Sequence, residues 1–539
     1  MTRYLRRAWM WIVLFLLAFL PRVIYPVSRS GNWYQRSLQF VYELGQGDWA
    51  STMLSYHPGV TTMWLSGAGL KIYSLLSGYS LVELAQESQR APEVVFGAYT
   101  AGVVPLALVI SGGIVLAAVL IGRLFDRRMG LIAGVLLALD PFLLSQSKTL
   151  HLDGLLTILM LLSALYLMLY VEKGHGRFLL YSAIFFGLAL LTKSPSLFLL
   201  PFATLYLSVS NLRHPEEGAA LRERLLEQGR LFLRVGLALA AWLGVAVGIV
   251  FLLFPALWVQ PGETLRFMGG NVMRHLVQYH IHPTFFAGEV YVENNPGILY
   301  YGATLLWRTT FVTLPMFLLA CVLAVKGLLR EKRPSLILWF IIYAGAFVVQ
   351  MSLSHRQEAR YIVPMFAAVD VLAAYGVVSL LDWLAARVQP RWLYRIAVLV
   401  LLLQAALIFS FHPYYGLHAN YLLGGPKTAV HVIALQEQAE GLEQAAQYLN
   451  SLPGGEQKSV SIHEINAIVL ERYFRGQIDA SIPNANTDYR IYYRQHILRN
   501  LGLGEGWGAL WEADQQREPL FTVERGGLTY VWVYDNENQ

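Results

Sequence analysis

Long apolar runs alternate with polar stretches over most of this chain, and the pattern changes only toward its C-terminal end. A helix that crosses the hydrocarbon core of a bilayer needs roughly 17–25 predominantly apolar residues. Runs of that kind cover residues 8–27, 97–125, 129–146, 152–171, 178–192, 195–210, 231–254, 309–328, 335–353, 361–384 and 396–411. The pattern predicts about eleven transmembrane helices, with the fifth and sixth short enough to be tilted or partly re-entrant. After His412 the period shifts. Residues 439–450 have amphipathic helical spacing, and strand-like runs follow at 459–462, 489–493, 520–523 and 528–534, separated by Gly, Pro and Asn. The expected fold is an all-α polytopic membrane domain over residues 1–412, followed by a small α/β extracytoplasmic domain over residues 413–539.

Composition sharpens this picture. Of 539 residues, 56% are hydrophobic and 14% charged, whereas a soluble domain carries about a quarter charged residues. The net charge of +6 is explained without a nucleic-acid partner, because every second loop of the membrane region carries a basic cluster. With Arg3, Arg6 and Arg7 inside, the inner connections carry Arg123, Arg127 and Arg128, then Lys173 and Arg177, then Arg213 to Arg230, then Lys326 to Arg333, then Arg387 to Arg395. The positive-inside rule therefore puts the N-terminus in the cytoplasm. It puts loops 28–96 and 255–308, and everything after His412, on the outer side of a multi-pass protein of the cytoplasmic membrane. The first run has the basic flank of a signal peptide without a clear small-residue cleavage site, so it reads as a retained anchor. The single cysteine, Cys321, lies in an apolar run, which excludes a disulfide framework and a cysteine metal site.

Polar residues that such a chain holds at a membrane surface are candidates for chemistry. The first outer loop is dense in Trp, Tyr, His and Gly: Gly47-Asp48-Trp49, then Ser55-Tyr56-His57-Pro58-Gly59-Val60-Thr61-Thr62-Met63-Trp64. Its helical spacing over 32–44 and from 61 to 76 equally suits an interfacial helix pair. Asp153 stands at the edge of an apolar helix, either as a functional carboxylate or as a cap or ion-pair partner of Lys148. Lys193, between two short apolar runs, could neutralise a phosphate or snorkel to headgroups. In Ser354-His355-Arg356-Gln357-Glu358-Ala359-Arg360-Tyr361, a helix would place Arg356 and Arg360 side by side as an oxyanion clamp. The alternative is pairing with Glu358. Asp370, deeper in the same apolar run, reads as a buried structural residue. His275, His280, His282, Glu289 and Glu293 match no metal-ligand spacing, so no metal site is read there.

Taken together, the long first outer loop, the Asp153 motif, Gly187-Leu188-Ala189-Leu190-Leu191-Thr192-Lys193-Ser194-Pro195 and Arg360-Tyr361-Ile362-Val363-Pro364 resemble the GT-C membrane glycosyltransferases. The nearest groups are the dolichyl-phosphate-mannose protein mannosyltransferase-like proteins and the bacterial aminoarabinose transferases. The resemblance implies transfer of a sugar from a polyprenyl-phosphate carrier to a lipid, glycan or protein acceptor outside the membrane. It implies Asp153 as an acidic site residue, Tyr361 as a donor-pocket tyrosine, and Lys193 with Arg360 as candidate phosphate contacts; Arg356, from its place in the same loop, and Lys148 join them as candidate donor- or phosphate-binding residues. It requires no cofactor, although a divalent metal is compatible with it. The chain departs from the family at two points: Ser28-Arg29 stands where an Asp-Glu pair is usual, and Asn294-Asn295 where acidic residues are usual. Asp48, His57 and Asp153 are then the available groups for the base, and a histidine can titrate near neutral pH. The same departure suits a relative that binds lipid-linked sugar or a partner without turnover. A transporter would show paired, broken halves with charges inside the bundle, and no such symmetry is visible.

Overall fold

The computed structural model describes the chain except residues 1, 27–31, 87–89, 212–220, 278–282, 293, 332–333, 355, 436–438, 481–486, 500–506 and 537–539. The Ser28-Arg29 substitution, His280, His282 and Glu293 therefore lie outside the described residues, as does the side chain of His275. Helices dominate. Among the described residues, six are long and apolar enough to cross a membrane: Pro92–Leu124, Asp153–Lys173, Gln228–Leu253, Thr313–Arg330, Ala359–Ala385 and Arg391–Phe409. Trp9–Val23, Gly176–Thr192, Ser194–Ser210 and Leu336–Ser352 are shorter apolar helices. Each apolar run of the sequence thus corresponds to a helix or helix pair.

The run at 129–146 is not one straight helix. It divides into Arg127–Leu139 and Pro141–Ser147, bent by 59°. Asp140 makes the break: it is extended, its Oδ1 accepts from the Leu143 amide at 2.5 Å, and Pro141 opens the second piece. An Asp cap followed by a first-turn proline starts a new helix rather than continuing the old one.

Two helices form the centre. The apolar stretch of Asp153–Lys173 is 89% buried and that of Ala359–Ala385 83% buried, whereas Gln228–Leu253 is only 11% buried. In a bilayer the exposed apolar faces of such outer helices meet lipid. Close backbone approach supports the centre: a Cβ on Gly376 would lie 2.1 Å from the Met316 carbonyl oxygen, so only glycine fits.

The first loop contains two main helices, Trp33–Gln46 and Val60–Ser77. Gly47 ends the first in the left-handed conformation, φ 74°, where glycine has no steric penalty. The second loop holds helix Pro261–Val277, the strands β1 (Thr284–Phe286) and β2 (Glu289–Tyr291), and helix Ile298–Arg308. This last helix has no counterpart in the sequence reading.

Toward the C-terminus, β3 (Ser459–Ile462), β4 (Gln477–Asp479), β5 (Tyr489–Tyr493), β6 (Phe521–Arg525) and β7 (Leu528–Asp535) form one mixed sheet ordered β4-β3-β5-β7-β6. β3 runs parallel to β4 and β5, while β7 is antiparallel to β5 and β6. Helix Leu442–Ser451 packs its apolar side on this sheet, where Leu449, Val460, Ile491, Val531 and Val533 are buried. Each such side chain contributes about 1.5–3 kcal/mol of burial. The β4 strand, only three residues long, was not read from the pattern.

Candidate active site

Asp153 opens the Asp153–Lys173 helix, and its side chain is 2% exposed. A carboxylate in a first helical turn is favoured by the helix dipole, but burial demands further partners. They come from three separate stretches. Lys193 Nζ donates to Oδ1 at 2.7 Å. His151 Nδ1 lies 3.1 Å from Oδ2. Arg360 Nε lies 3.9 Å from the same oxygen.

Local chain geometry explains how Lys193 gets there. Helix Gly176–Thr192 stops at Lys193, which is extended (φ −162°, ψ 141°), and a 3-10 turn begins at Ser194 with Pro195 in its first positions. The residue before a proline avoids helical geometry, so the apolar run is interrupted where the lysine stands. Burial pulls the Lys193 ammonium down, but the Asp153 carboxylate more than offsets this and holds it above the usual lysine range.

Arg356 and Arg360 do not form a helical i,i+4 clamp. Gln357 and Glu358 are not helical, and a 3-10 turn runs from Ala359 to Ile362. Both arginines pair with Glu358, Arg356 Nε donating to its Oε1 at 2.8 Å and Arg360 Nη2 contacting its Oε2. Burial lowers the Arg356 guanidinium, but the Glu358 carboxylate outweighs it and the group ends above its ordinary range.

Tyr361 is the common floor. Its ring centroid is 4.9 Å from Lys193 Nζ, 5.5 Å from Arg360 Cζ and 6.0 Å from Arg356 Cζ. Cations within about 6 Å of an aromatic face are attracted by its quadrupole. Three cations and two carboxylates, Asp153 and Glu358, leave one net positive charge on this cluster.

The first loop reaches the same place through its His-Pro-Gly turn. The Gly59 amide donates to the Thr192 carbonyl at 3.1 Å, and the Thr61 and Thr192 hydroxyls lie 2.6 Å apart. His57 Nδ1 is 3.3 Å from the Ser194 hydroxyl, and the His57 and Tyr56 rings are 4.5 Å apart. Gly59 sits at φ 60°, and a Cβ there would lie 2.0 Å from the Trp33 ring, so this turn has room for glycine alone.

The structure therefore brings together His57, Asp153, Lys193, Arg356, Arg360 and Tyr361. It places Asp48 and Lys148 elsewhere. Asp48 is on an exposed turn, its carboxylate accepting from the Ser51 amide and hydroxyl. Lys148 is fully buried; its Nζ donates to the Pro21 carbonyl at 2.8 Å and to that of Ile24, under the Tyr415 ring. Burial, then the charge of Arg22, pull Lys148 down to about 7. The ion pair of Asp153 is with Lys193, not Lys148. Asp370 is buried, and neither carboxylate oxygen has a hydrogen-bond partner among the described residues.

His151, Glu358, Tyr56 and Ser194 were not singled out in the sequence as site residues. His151 could have been read from its position two residues before Asp153. Among the described residues, no group of three or more His, Cys, Asp or Glu side chains is arranged to hold a metal ion.

Comparison with known proteins adds to this geometry. Residues 94–217 match the family model described as dolichyl-phosphate-mannose-protein mannosyltransferase. That stretch contains Asp153, His151 and Lys193. No curated protein matches the chain. Among solved structures, ArnT from Cupriavidus metallidurans in the apo state is similar at 15% identity and a TM-score of 0.49, covering 98% of each chain. The same protein bound to undecaprenyl phosphate gives 16% identity and a TM-score of 0.44, over 99% of this chain and 98% of that one. The Archaeoglobus fulgidus oligosaccharyltransferase in the apo form gives 14% and 0.46, over 98% of this chain and 74% of its own.

Proposed function

We propose that this chain is a membrane glycosyltransferase that takes a sugar from a polyprenyl-phosphate carrier and passes it to a lipid, glycan or protein acceptor at the outer face of the cytoplasmic membrane. In this reading residues 1–412 are the transferase domain, with the N-terminus in the cytoplasm, and residues 413–539 are an extracytoplasmic domain. The convergence of Lys193, Arg356 and Arg360 on the Tyr361 ring is the observation that carries it. A sugar phosphodiester develops negative charge on its phosphate oxygens as the sugar departs. Preorganised cations in a water-poor site stabilise that charge far better than solvent does. Arginines also bind phosphate oxygens in a fixed fork. The mannosyltransferase family match over residues 94–217 supports a lipid-phosphate donor, because it spans Asp153 and Lys193.

The test is incubation of membranes containing the protein with radiolabelled undecaprenyl-phosphate sugars and a cell-envelope extract. Transfer that is lost in Lys193→Ala, Arg360→Ala and Asp153→Asn supports the enzyme. The Ser28-Arg29 substitution favours a second reading, a relative that holds the carrier without turnover. Saturable undecaprenyl-phosphate binding with no transfer under any condition would select it. Absence of both binding and transfer rejects the two together.

A further inference from the structure

Arg36, in the first loop, is a further cation beside the Lys193, Arg356 and Arg360 cluster. It sits on helix Trp33–Gln46, where its Cζ lies 4.7 Å from the Trp33 ring centroid. Neighbouring residues fix the rotation of this helix. The Tyr34 hydroxyl donates to the Leu84 carbonyl at 3.1 Å, and Gln35 Nε2 to that of Ala85 at 2.9 Å. The Trp33 ring packs against Gly59, whose amide donates to the Thr192 carbonyl one residue before Lys193. Trp33 thus links Arg36 to the turn that meets the lysine. Tyr56 reports the same proximity. Burial, then Tyr361, raise its phenol above the ordinary range, while Arg356, Lys193 and Arg36 all act against that rise. Charges are screened beyond about 10 Å, so these three cations stand around one hydroxyl.

Arg36 differs from the other cations in having no counter-ion. Lys193 pairs with Asp153, and Arg356 and Arg360 pair with Glu358. Among the described residues, the Arg36 side chain makes no ion pair and no hydrogen bond. Burial lowers its guanidinium below the ordinary arginine range, with Tyr56 acting against the fall. A partly buried guanidinium that offers its donor fork to no acceptor is suited to an anionic ligand.

We propose that Arg36 binds the phosphate that departs from the sugar, so that the site holds this product more tightly than the intact donor, an inference that rests on the transferase reading above. Charge balance carries the argument. Three cations against Asp153 and Glu358 leave one net positive charge, which matches the single negative charge of a sugar phosphodiester. In transfer the acceptor oxygen bonds to the anomeric carbon, and its proton passes to water. The bond from that carbon to the phosphate oxygen breaks, and its electron pair stays on the phosphate. The monoester so formed carries about −1.5 to −2 at pH 7, up to one charge more than the paired cluster balances. Arg36 supplies the matching charge. An interaction that strengthens as the sugar leaves lowers the barrier, whereas one made equally to donor and transition state does not.

The experiment uses the full-length protein in detergent and two probes built on one lipid: undecaprenyl phosphate, and its methyl diester, which has one ionisable oxygen fewer. The wild type should bind the monoester at least about tenfold more tightly than the diester. Arg36→Gln should weaken monoester binding by about 10–100-fold and diester binding by less than about threefold. Arg36→Lys should keep part of the preference, because charge persists while the fork is lost. With undecaprenyl-phosphate mannose as donor and a cell-envelope extract as acceptor, Arg36→Gln should lower kcat and leave the donor KM nearly unchanged. The inference is overturned if Arg36→Gln keeps the wild-type preference. It is also overturned if that variant loses both probes equally at an unchanged melting temperature, which would make Arg36 a general headgroup contact. Should Arg36→Gln fail to fold, Arg36→Lys decides, and an undiminished preference there sinks the idea. A wild type that binds both probes alike overturns the inference without any variant and leaves the transferase reading standing; a wild type that binds neither probe removes that reading itself.

Discussion

The Lys193 ammonium lies 2.7 Å from Oδ1 of Asp153 although 40 residues separate them in the chain. Both side chains are nearly closed to solvent, at 6% and 2% exposure. Removing one partner of a buried ion pair strands the other charge and costs roughly 3–5 kcal/mol. Asp153→Asn and Lys193→Met should each lower the melting temperature of the detergent-solubilised protein. The double variant should be hurt by clearly less than the sum. Strict additivity would mean that the two side chains do not interact.

The arginines can be separated from the lysine by carrier affinity. A hydrogen bond to a charged group contributes about 1.5–3 kcal/mol, so Arg360→Ala should weaken undecaprenyl-phosphate binding by about 10–100-fold. Arg360→Lys should recover part of it, because charge persists but the fork is lost. Equal affinity in all three proteins would remove Arg360 from the carrier site.

Gly59 is tested by a single methyl group. Its φ of 60° and the 2.0 Å approach to the Trp33 ring leave no space for a Cβ. Gly59→Ala should cost about 1–3 kcal/mol and reduce transfer, since the turn carries His57 past Ser194. A variant with unchanged melting and rate would show that the turn adjusts freely.

Asp48 provides the contrast. It is exposed and engaged by its own neighbour Ser51, so Asp48→Asn should leave the melting temperature and carrier binding unchanged. A transfer defect in this variant would return Asp48 to the site.

The C-terminal part should respond to pH through Glu443. Burial is the main cause that raises its carboxyl from 4.5 to about 7, with the nearby Glu440 charge adding to it. Its Oε1 accepts from the Tyr414 hydroxyl. Below pH 4.5 it is protonated in folded and unfolded chains alike, and its native environment carries no penalty. As pH rises from 4.5 through 7 the unfolded chain ionises first, so stability falls, by about 3 kcal/mol as an order of magnitude. Glu443→Gln should flatten that part of the melting-temperature profile against pH; an unchanged slope would assign it to another group.

Much of this architecture was legible because membrane helices announce themselves by length and composition alone. All the apolar runs found helices, and β3 and β5 fell where alternation placed them. The break at Asp140 was missed because hydropathy is blind to a single cap inside an apolar run. The helix at Ile298–Arg308 was missed for a different reason: it is too short and too mixed to stand out among loop residues. Asp153, Lys193, Arg360 and Tyr361 could each be singled out as costly polar residues beside apolar ones. Which of them meet could not be read, because pairing depends on how helices pack. That is why the sequence leaves Lys148 as one alternative partner of Asp153, when its ammonium instead donates to the Pro21 and Ile24 carbonyls. It is also why Glu358 was read as one of two alternatives, when it joins both arginines at the site.

Arg308 ties the tail to the rest. Its buried guanidinium donates to the Gly416 carbonyl and, at 3.0 Å each, to those of Ala434 and Leu435, while lying 4.8 Å from the Phe142 ring centroid. A chain cut short of Gly416 would strand that cation among apolar neighbours with its acceptors gone. The tail is thus a keystone and not an appendage: trimming it to obtain a smaller protein would leave Arg308 buried without its carbonyl acceptors.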